Sequence, residues 1–179
     1  MGALFISNIV LRSLLFIFLV ITLGLTGSLI AGQIFGTPQV NFMMFASVFG
    51  LLFGAFYGFI ALFVTGIAFP FSVALVDFLV TVFAFAGATA LAVVIRVHSC
   101  TNHVYLNSNK VAQGSTDRCR KAQADTVFMY FAFVVALVSL ILSLSTGLRA
   151  GWGTVPSRRA GAAAPAPAAA STRPTMTQV

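Results

Sequence analysis

The sequence predicts an all-α integral membrane protein, an antiparallel bundle of four transmembrane helices followed by a disordered C-terminal tail. Three observations lead there. Of 179 residues, 59% are hydrophobic and only 7% charged, against about 25% charged in a soluble domain. Four long apolar runs occupy 13–31, 42–63, 69–95 and 126–148. The links joining the first three are short, which makes consecutive helices antiparallel neighbours.

Each run has about the 20 residues that a helix needs to cross a hydrocarbon core about 30 Å thick. Backbone groups in lipid are satisfied only within helices or closed barrels, and none of the runs shows the alternation of barrel strands. The first run follows Arg12, with Gly24, Gly27 and Ser28 near its end. A cleavable signal peptide is the other reading of this stretch. However, the run exceeds the roughly 7–15 apolar residues of such a segment and no A-x-A-like site closes it. Gly24, Ser28, Gly32 and Gly36 form a four-residue ladder on this helix.

The second run repeats the pattern with Gly50, Gly54 and Gly58, while Phe49, Phe53, Phe56, Ile60 and Phe63 fall on the opposite side at helical spacing. One face is flat and the other bulky. In lipid, close approach across small residues is a main source of helix attraction. The flat stripe serves either packing within one bundle or self-association between copies.

The third run opens beside Pro70, a residue suited to a first helical turn. It carries Asp77, about 10 Å into the helix, as the one ionisable group read to lie well inside a span. An intramembrane carboxylate is a functional-site hypothesis by default. The two readings are a proton or cation relay and a structural acid paired with Arg12 or Arg149 snorkelling from neighbouring helix ends.

The link 96–125 is long and polar and holds both cysteines, Cys100 and Cys119. In an oxidising space a loop of this size closes into a disulfide worth about 3 kcal/mol. The alternative is a pair of reduced thiols, with Cys100 palmitoylated near the membrane. A disulfide would place the link outside and both termini in the cytosol. Basic residues do not decide orientation, since Arg12, Arg149, Arg158, Arg159 and Arg173 on one side balance Arg96, Lys110, Arg118, Arg120 and Lys121 on the other. No N-x-[ST] sequon is present. His98, Cys100, His103 and Cys119 match no common zinc spacing. Without a nucleophile signature or a usable acid–base set, catalysis and bound cofactors are not expected.

After Leu148 the composition changes. Positions 162–170 contain only Ala and Pro, and the segment 149–179 reads as a disordered basic tail. Arg158, Arg159 and Arg173 suit contact with anionic inner-leaflet lipid, and Ser157, Ser171 and Thr172 beside them are sites where phosphorylation would weaken it. The C-terminal Val179 fits capture of a carboxylate and its last apolar side chain by a partner. The net charge of +7 lies outside the apolar runs, where headgroups are met, and is no nucleic-acid footprint.

Particular residues add a resemblance. They include Asn8 with Leu11-Arg12, Met44-Phe45-Ala46 with Gly50 and Tyr57-Gly58, Asp77-Phe78-Leu79, and Ala92-Val93 leading through Ile95-Arg96 to His98-Ser99-Cys100 and Asn102. Ser108-Asn109-Lys110, Gln113-Gly114-Ser115, Arg118-Cys119-Arg120 and Ala122-Gln123-Ala124 continue it, with Pro174-Thr175 and Gln178-Val179 at the end. This pattern resembles the fungal MARVEL-domain tetraspans of the non-classical export protein family, plasma-membrane proteins associated with eisosomes. The resemblance implies a MARVEL-like four-helix fold with cytosolic termini, residence in furrow-like membrane domains, a role in organising them, a response to sphingolipid status and a link to secretion without a signal peptide. The Ala/Pro tail departs from it.

The resulting expectation is a non-enzymatic organiser of lateral plasma-membrane domains. Its partners would be sphingolipid, sterol or anionic lipid, further copies of itself and other plasma-membrane proteins. The rivals are a small proton-coupled transporter or channel centred on Asp77 and a trafficking adaptor for unconventional secretion.

Overall fold

The computed structural model describes residues 2–63, 70–96 and 99–150, and the regular elements in them are helical. α1 is Gly2–Ala31, α2 Pro38–Phe49, α3 Gly58–Phe63, α4 Pro70–Ile95, α5 His103–Ser108 and α6 Thr116–Ala150. Between α2 and α3 the chain continues as a π-helix over Gly50–Tyr57, so these three pieces form one continuous span. Four helices are long and apolar enough to cross a membrane, at Phe5–Ala31, Pro38–Phe63, Phe71–Ile95 and Thr116–Arg149.

α6 packs on α1 and α4, and the second span packs on the same two, so neighbours run around the bundle in the order α1, second span, α4, α6. α1 and α4 stand across a diagonal. The core between them is built from Leu15, Leu19 and Leu29 of α1, Met43 of α2, Val80 and Leu91 of α4, and Met129 of α6. Each contributes on a three-to-four residue repeat, the stripe that a helix presents to one side.

Two boundaries differ from the sequence expectation. The first helix begins at Gly2, well before Ser13, because Phe5, Ile6, Ile9, Val10 and Leu11 are as apolar as the run from Leu14 onward. Arg12 therefore lies inside the first candidate span and not ahead of it. The fourth helix begins at Thr116, so the second part of the link 96–125 is helical. At 35 residues α6 is about 52 Å long, and its first turns project beyond a core of about 30 Å.

The rest of that link folds as a cap over one end of the bundle. α4 ends at Ile95, and Arg96 after it, at φ 46°, turns the chain. Asn102 caps α5 by accepting from the N–H groups of Val104 and Tyr105 at 3.1 and 3.4 Å. Gly114, at φ +79°, makes the turn into α6. A disulfide joins Cys100 to Cys119 in the first turn of α6, buried with Leu106 and Ala112. Because both thiols are consumed there, the grouping His98, Cys100, His103 and Cys119 has no thiolate to offer a metal.

Side chains fasten the cap to the helix ends. Asn109 donates to the Val94 carbonyl at 2.8 Å. Gln113 accepts from the Ile34 N–H and donates to the Phe35 carbonyl. Arg118 donates to the carbonyls of Leu29 at 2.8 Å and Val111 at 3.2 Å, satisfying an orphan carbonyl in the last turn of α1. The Tyr105 hydroxyl donates to the Ile95 carbonyl. Burial pushes this phenol upward from its ordinary pKa, against the pull of nearby Arg96. The cap and the loop 32–37 thus share one end of the bundle.

Candidate functional site

An arginine and an aspartate inside apolar helices are costly alone, so each must be matched by charge and hydrogen bonds. The structure brings Arg12 and Asp77 together across the bundle diagonal. Arg12 Nη1 donates to Asp77 Oδ1 at 2.6 Å and Nη2 to Oδ2 at 2.9 Å, the two-pronged geometry that suits guanidinium and carboxylate. Both residues are only 2% exposed. Arg12 Nη1 also donates to the Gly54 carbonyl at 2.8 Å. From α6, the Ser143 hydroxyl donates to Asp77 Oδ2 at 2.6 Å. One carboxylate therefore gathers α1, α4 and α6 directly, and the second span through the same guanidinium.

Glycines make the room. A Cβ at Gly58 would lie 2.6 Å from Arg12 Nε and 2.7 Å from its Cζ, and one at Gly54 would lie 3.2 Å from Leu15 and Val80 methyls. At Gly50 it would meet Leu19 at 2.9 Å. The stripe Gly50, Gly54 and Gly58 thus faces α1 inside the bundle, and all three are buried. Of the two readings of the stripe, packing within one bundle is the one these contacts support. Gly54 and Gly58 also flank or lie within the π-helix, a form that concentrates at functional sites and where a side chain enters the helical ladder. Here the entering group is the guanidinium.

The second ladder is corrected too. Gly24 has open space where a Cβ would sit, and Ser28 is exposed, its hydroxyl accepting from Lys121 Nζ at 3.2 Å. The inward face of α1 is set by Leu15, Leu19, Thr22, Thr26 and Leu29, and helical geometry turns Gly24 away from it. Arg149, the other candidate partner of Asp77, is exposed in the last turn of α6, and both charged bonds to the acid come from Arg12. Arg158, Arg159, Arg173 and Val179 lie outside the described residues.

Several polar groups in the interior carry no mark in the sequence pattern. Ser143 is one. Asp125 of α6 is fully buried, with Oδ2 accepting from Thr26 Oγ1 of α1 at 2.7 Å. Ser47 donates to Thr22 at 3.3 Å between α2 and α1, and Tyr130 of α6 meets Thr89 of α4 at 3.2 Å. The pattern that would have exposed Asp125 is the inward repeat Ala122, Asp125, Met129, Ala132 and Ala136, which runs unbroken from the link into the apolar run.

Chemically, both oxygens of Asp77 are engaged. Its two oxygens accept three bonds, including both prongs of a cation, and its backbone carbonyl accepts from Thr81 Oγ1 at 2.6 Å. The arrangement locks helices, with both carboxylate oxygens engaged by partners on α1 and α6.

Comparisons with known proteins agree with this architecture. The MARVEL family, a membrane-associating domain, matches residues 5–142. Non-classical export protein 102 of Candida albicans is 48% identical over 178 residues, covering 97% of this chain and 98% of its own. Non-classical export protein 2 of Saccharomyces cerevisiae is 42% identical over 139 residues, covering 78% and 80%. Its homolog 1 from the same yeast is 44% identical over 127 residues, covering 71% and 73%. No solved structure matches. With a four-span helical bundle, an interior built around a buried ion pair and this degree of identity along most of its length, the chain belongs to the fungal non-classical export proteins of the MARVEL membrane-associating family.

Proposed function

We propose that this protein organises lateral domains of the plasma membrane, eisosome-associated and responsive to sphingolipid supply, and that its link to unconventional export follows from that role. The observation that carries the proposal is the outward surface. The bulky side of the second span faces away from the bundle, with Phe53, Phe56 and Phe63 between 44 and 64% exposed. α4 adds Phe71, Phe78 and Phe85, each at least half exposed. Rigid rings on a smooth helical cylinder solvate some lipids and neighbours better than others, so the bundle enriches them around itself. Sphingolipid, sterol and anionic lipid, further copies of this chain and other plasma-membrane proteins are the partners that such a surface selects among. In this reading the chain has no catalytic role, the cap faces outward and both termini are cytosolic.

The relatives' names tie those proteins to non-classical export. For this chain that activity, with the tail 149–179 as an adaptor, is carried as a consequence of domain organisation. The rival transporter centred on Asp77 loses support from the pairing with Arg12.

The test replaces Phe53, Phe56 and Phe63 together by Leu, keeping the surface apolar and the interior untouched. Plasma-membrane clusters of the fluorescently tagged protein should disperse while its membrane level stays at wild type. Clusters of unchanged size and lifetime would refute the proposal.

A further inference from the structure

The chain has three acids in all, and the structure places them in three different electrical settings. Asp117 is exposed and pairs with Lys121 at 2.8 Å. Asp77 is buried and pairs with Arg12. Asp125 is buried at 0% exposure, takes one hydrogen bond from Thr26 on Oδ2, and leaves Oδ1 buried without a protein partner. We propose that Asp125 is a proton-binding site, a neutral carboxylic acid held between α6 and α1 in the capped half of the bundle.

The surrounding charges carry this. Along α1 the one charged residue is Arg12, and along α4 it is Asp77; these two neutralise each other near the opposite end. The second span has none, and its Tyr57 meets Ser72 at 2.9 Å. On α6 itself, Lys121 is one turn away, yet its ammonium sits on Asp117 and Ser28. Arg118, two turns away, spends Nε and Nη1 on the Val111 and Leu29 carbonyls. Tyr130 faces Thr89 of α4. No cation among the described residues thus bonds to the Asp125 carboxyl. At such burial an uncompensated charge costs far more than one unmade hydrogen bond, so the proton stays on Oδ1 while Oδ2 receives the Thr26 hydroxyl.

The site differs in kind from the Asp77 pair. Asp77 is a strut whose charge is cancelled in place by Arg12, whereas Asp125 owes its neutrality to a bound proton. Loss of that proton puts a lone negative charge between α1 and α6, and the contact there loosens. This holds whether or not the protein organises membrane domains.

Infrared spectroscopy of the full chain in lipid nanodiscs, with carboxyl-labelled aspartate, reads this directly because only three side chains contribute. At neutral pH a protonated carboxyl C=O band is expected, retained in Asp117→Asn and lost in Asp125→Asn or on strong alkalinisation. Thr26→Val, which removes the donor to Oδ2, should shift the band to higher frequency and serves where the Asn variant fails to insert. The proposal is overturned by a neutral-pH spectrum with carboxylates alone, as when a water joins the buried, unbonded Arg118 Nη2 to Asp125. It is equally overturned by a band that survives Asp125→Asn, or by one that Thr26→Val leaves unmoved.

Discussion

Neutralising half of the Arg12–Asp77 pair is expected to be far more damaging than removing all of it. Asp77→Asn keeps an acceptor for Ser143 but removes the negative charge from a guanidinium that is 2% exposed. The cation would retain the Gly54 carbonyl at 2.8 Å and nothing of opposite charge. Breaking a buried pair in this way costs about 3–5 kcal/mol, whereas replacing both members by apolar residues of similar volume is often neutral. Against a typical total stability of about 5–15 kcal/mol, the single variant sits near the edge of folding. At about 1.4 kcal/mol per tenfold, the loss is two to nearly four orders of magnitude in the unfolding equilibrium. Arg12→Leu should fall in the same range, because it strands the carboxylate. The double variant Arg12→Leu with Asp77→Asn, which removes both charges, should be less destabilised than either single variant. Equilibrium denaturation of the purified full chain in mixed micelles, followed by helix content, measures all four proteins. Single losses that simply add in the double variant would refute the idea that the pair is a mutual charge match.

Glycine substitutions should separate by face: Gly58→Ala is expected to cost about 1–3 kcal/mol, since its Cβ would meet a pinned guanidinium at 2.6 Å. Gly24→Ala, in open space, should be neutral or stabilising by up to about 1 kcal/mol; the same denaturation assay compares them. Opening the disulfide by Cys100→Ser with Cys119→Ser should lower stability by about 3 kcal/mol. Amide exchange should then speed up across 99–115 and stay unchanged around Asp77. Ser143→Ala, which removes a hydroxyl donated to a charged oxygen at 2.6 Å, should cost about 1.5–3 kcal/mol by the denaturation midpoint.

Hydrophobic run length carried most of the fold, because lipid forces whole apolar segments into helices whatever their internal pattern. Four helices long and apolar enough to cross a membrane coincide with the four runs. Charge misleads at Arg12 and polarity at Asp125. In the sequence both look like marks of an aqueous boundary, yet the bundle supplies one with a carboxylate and the other with a hydroxyl. Such partners are distant in sequence, 65 positions for Arg12 with Asp77 and 99 for Thr26 with Asp125, and a single chain shows no local sign of them. The glycine repeat is visible, but which side it faces depends on Leu15, Leu19 and Arg12 of another helix. The π-helix is equally illegible, since it reflects what inserts against Gly54 and Gly58 rather than the propensities of those residues.

The diagonal bridge also sets a timetable for the newborn chain. Arg12 enters the bilayer region with the first helix, while its counter-charge is 65 residues further on. At roughly 5–20 residues per second, a ribosome needs about 3–13 s to deliver it. During that wait the Gly54 carbonyl, 42 residues behind Arg12, is the earliest acceptor to arrive. The opening hairpin must therefore be chaperoned by water, translocon walls or headgroups until the third helix docks, and birth of this protein is a race between elongation and the escape of an unaccompanied cation.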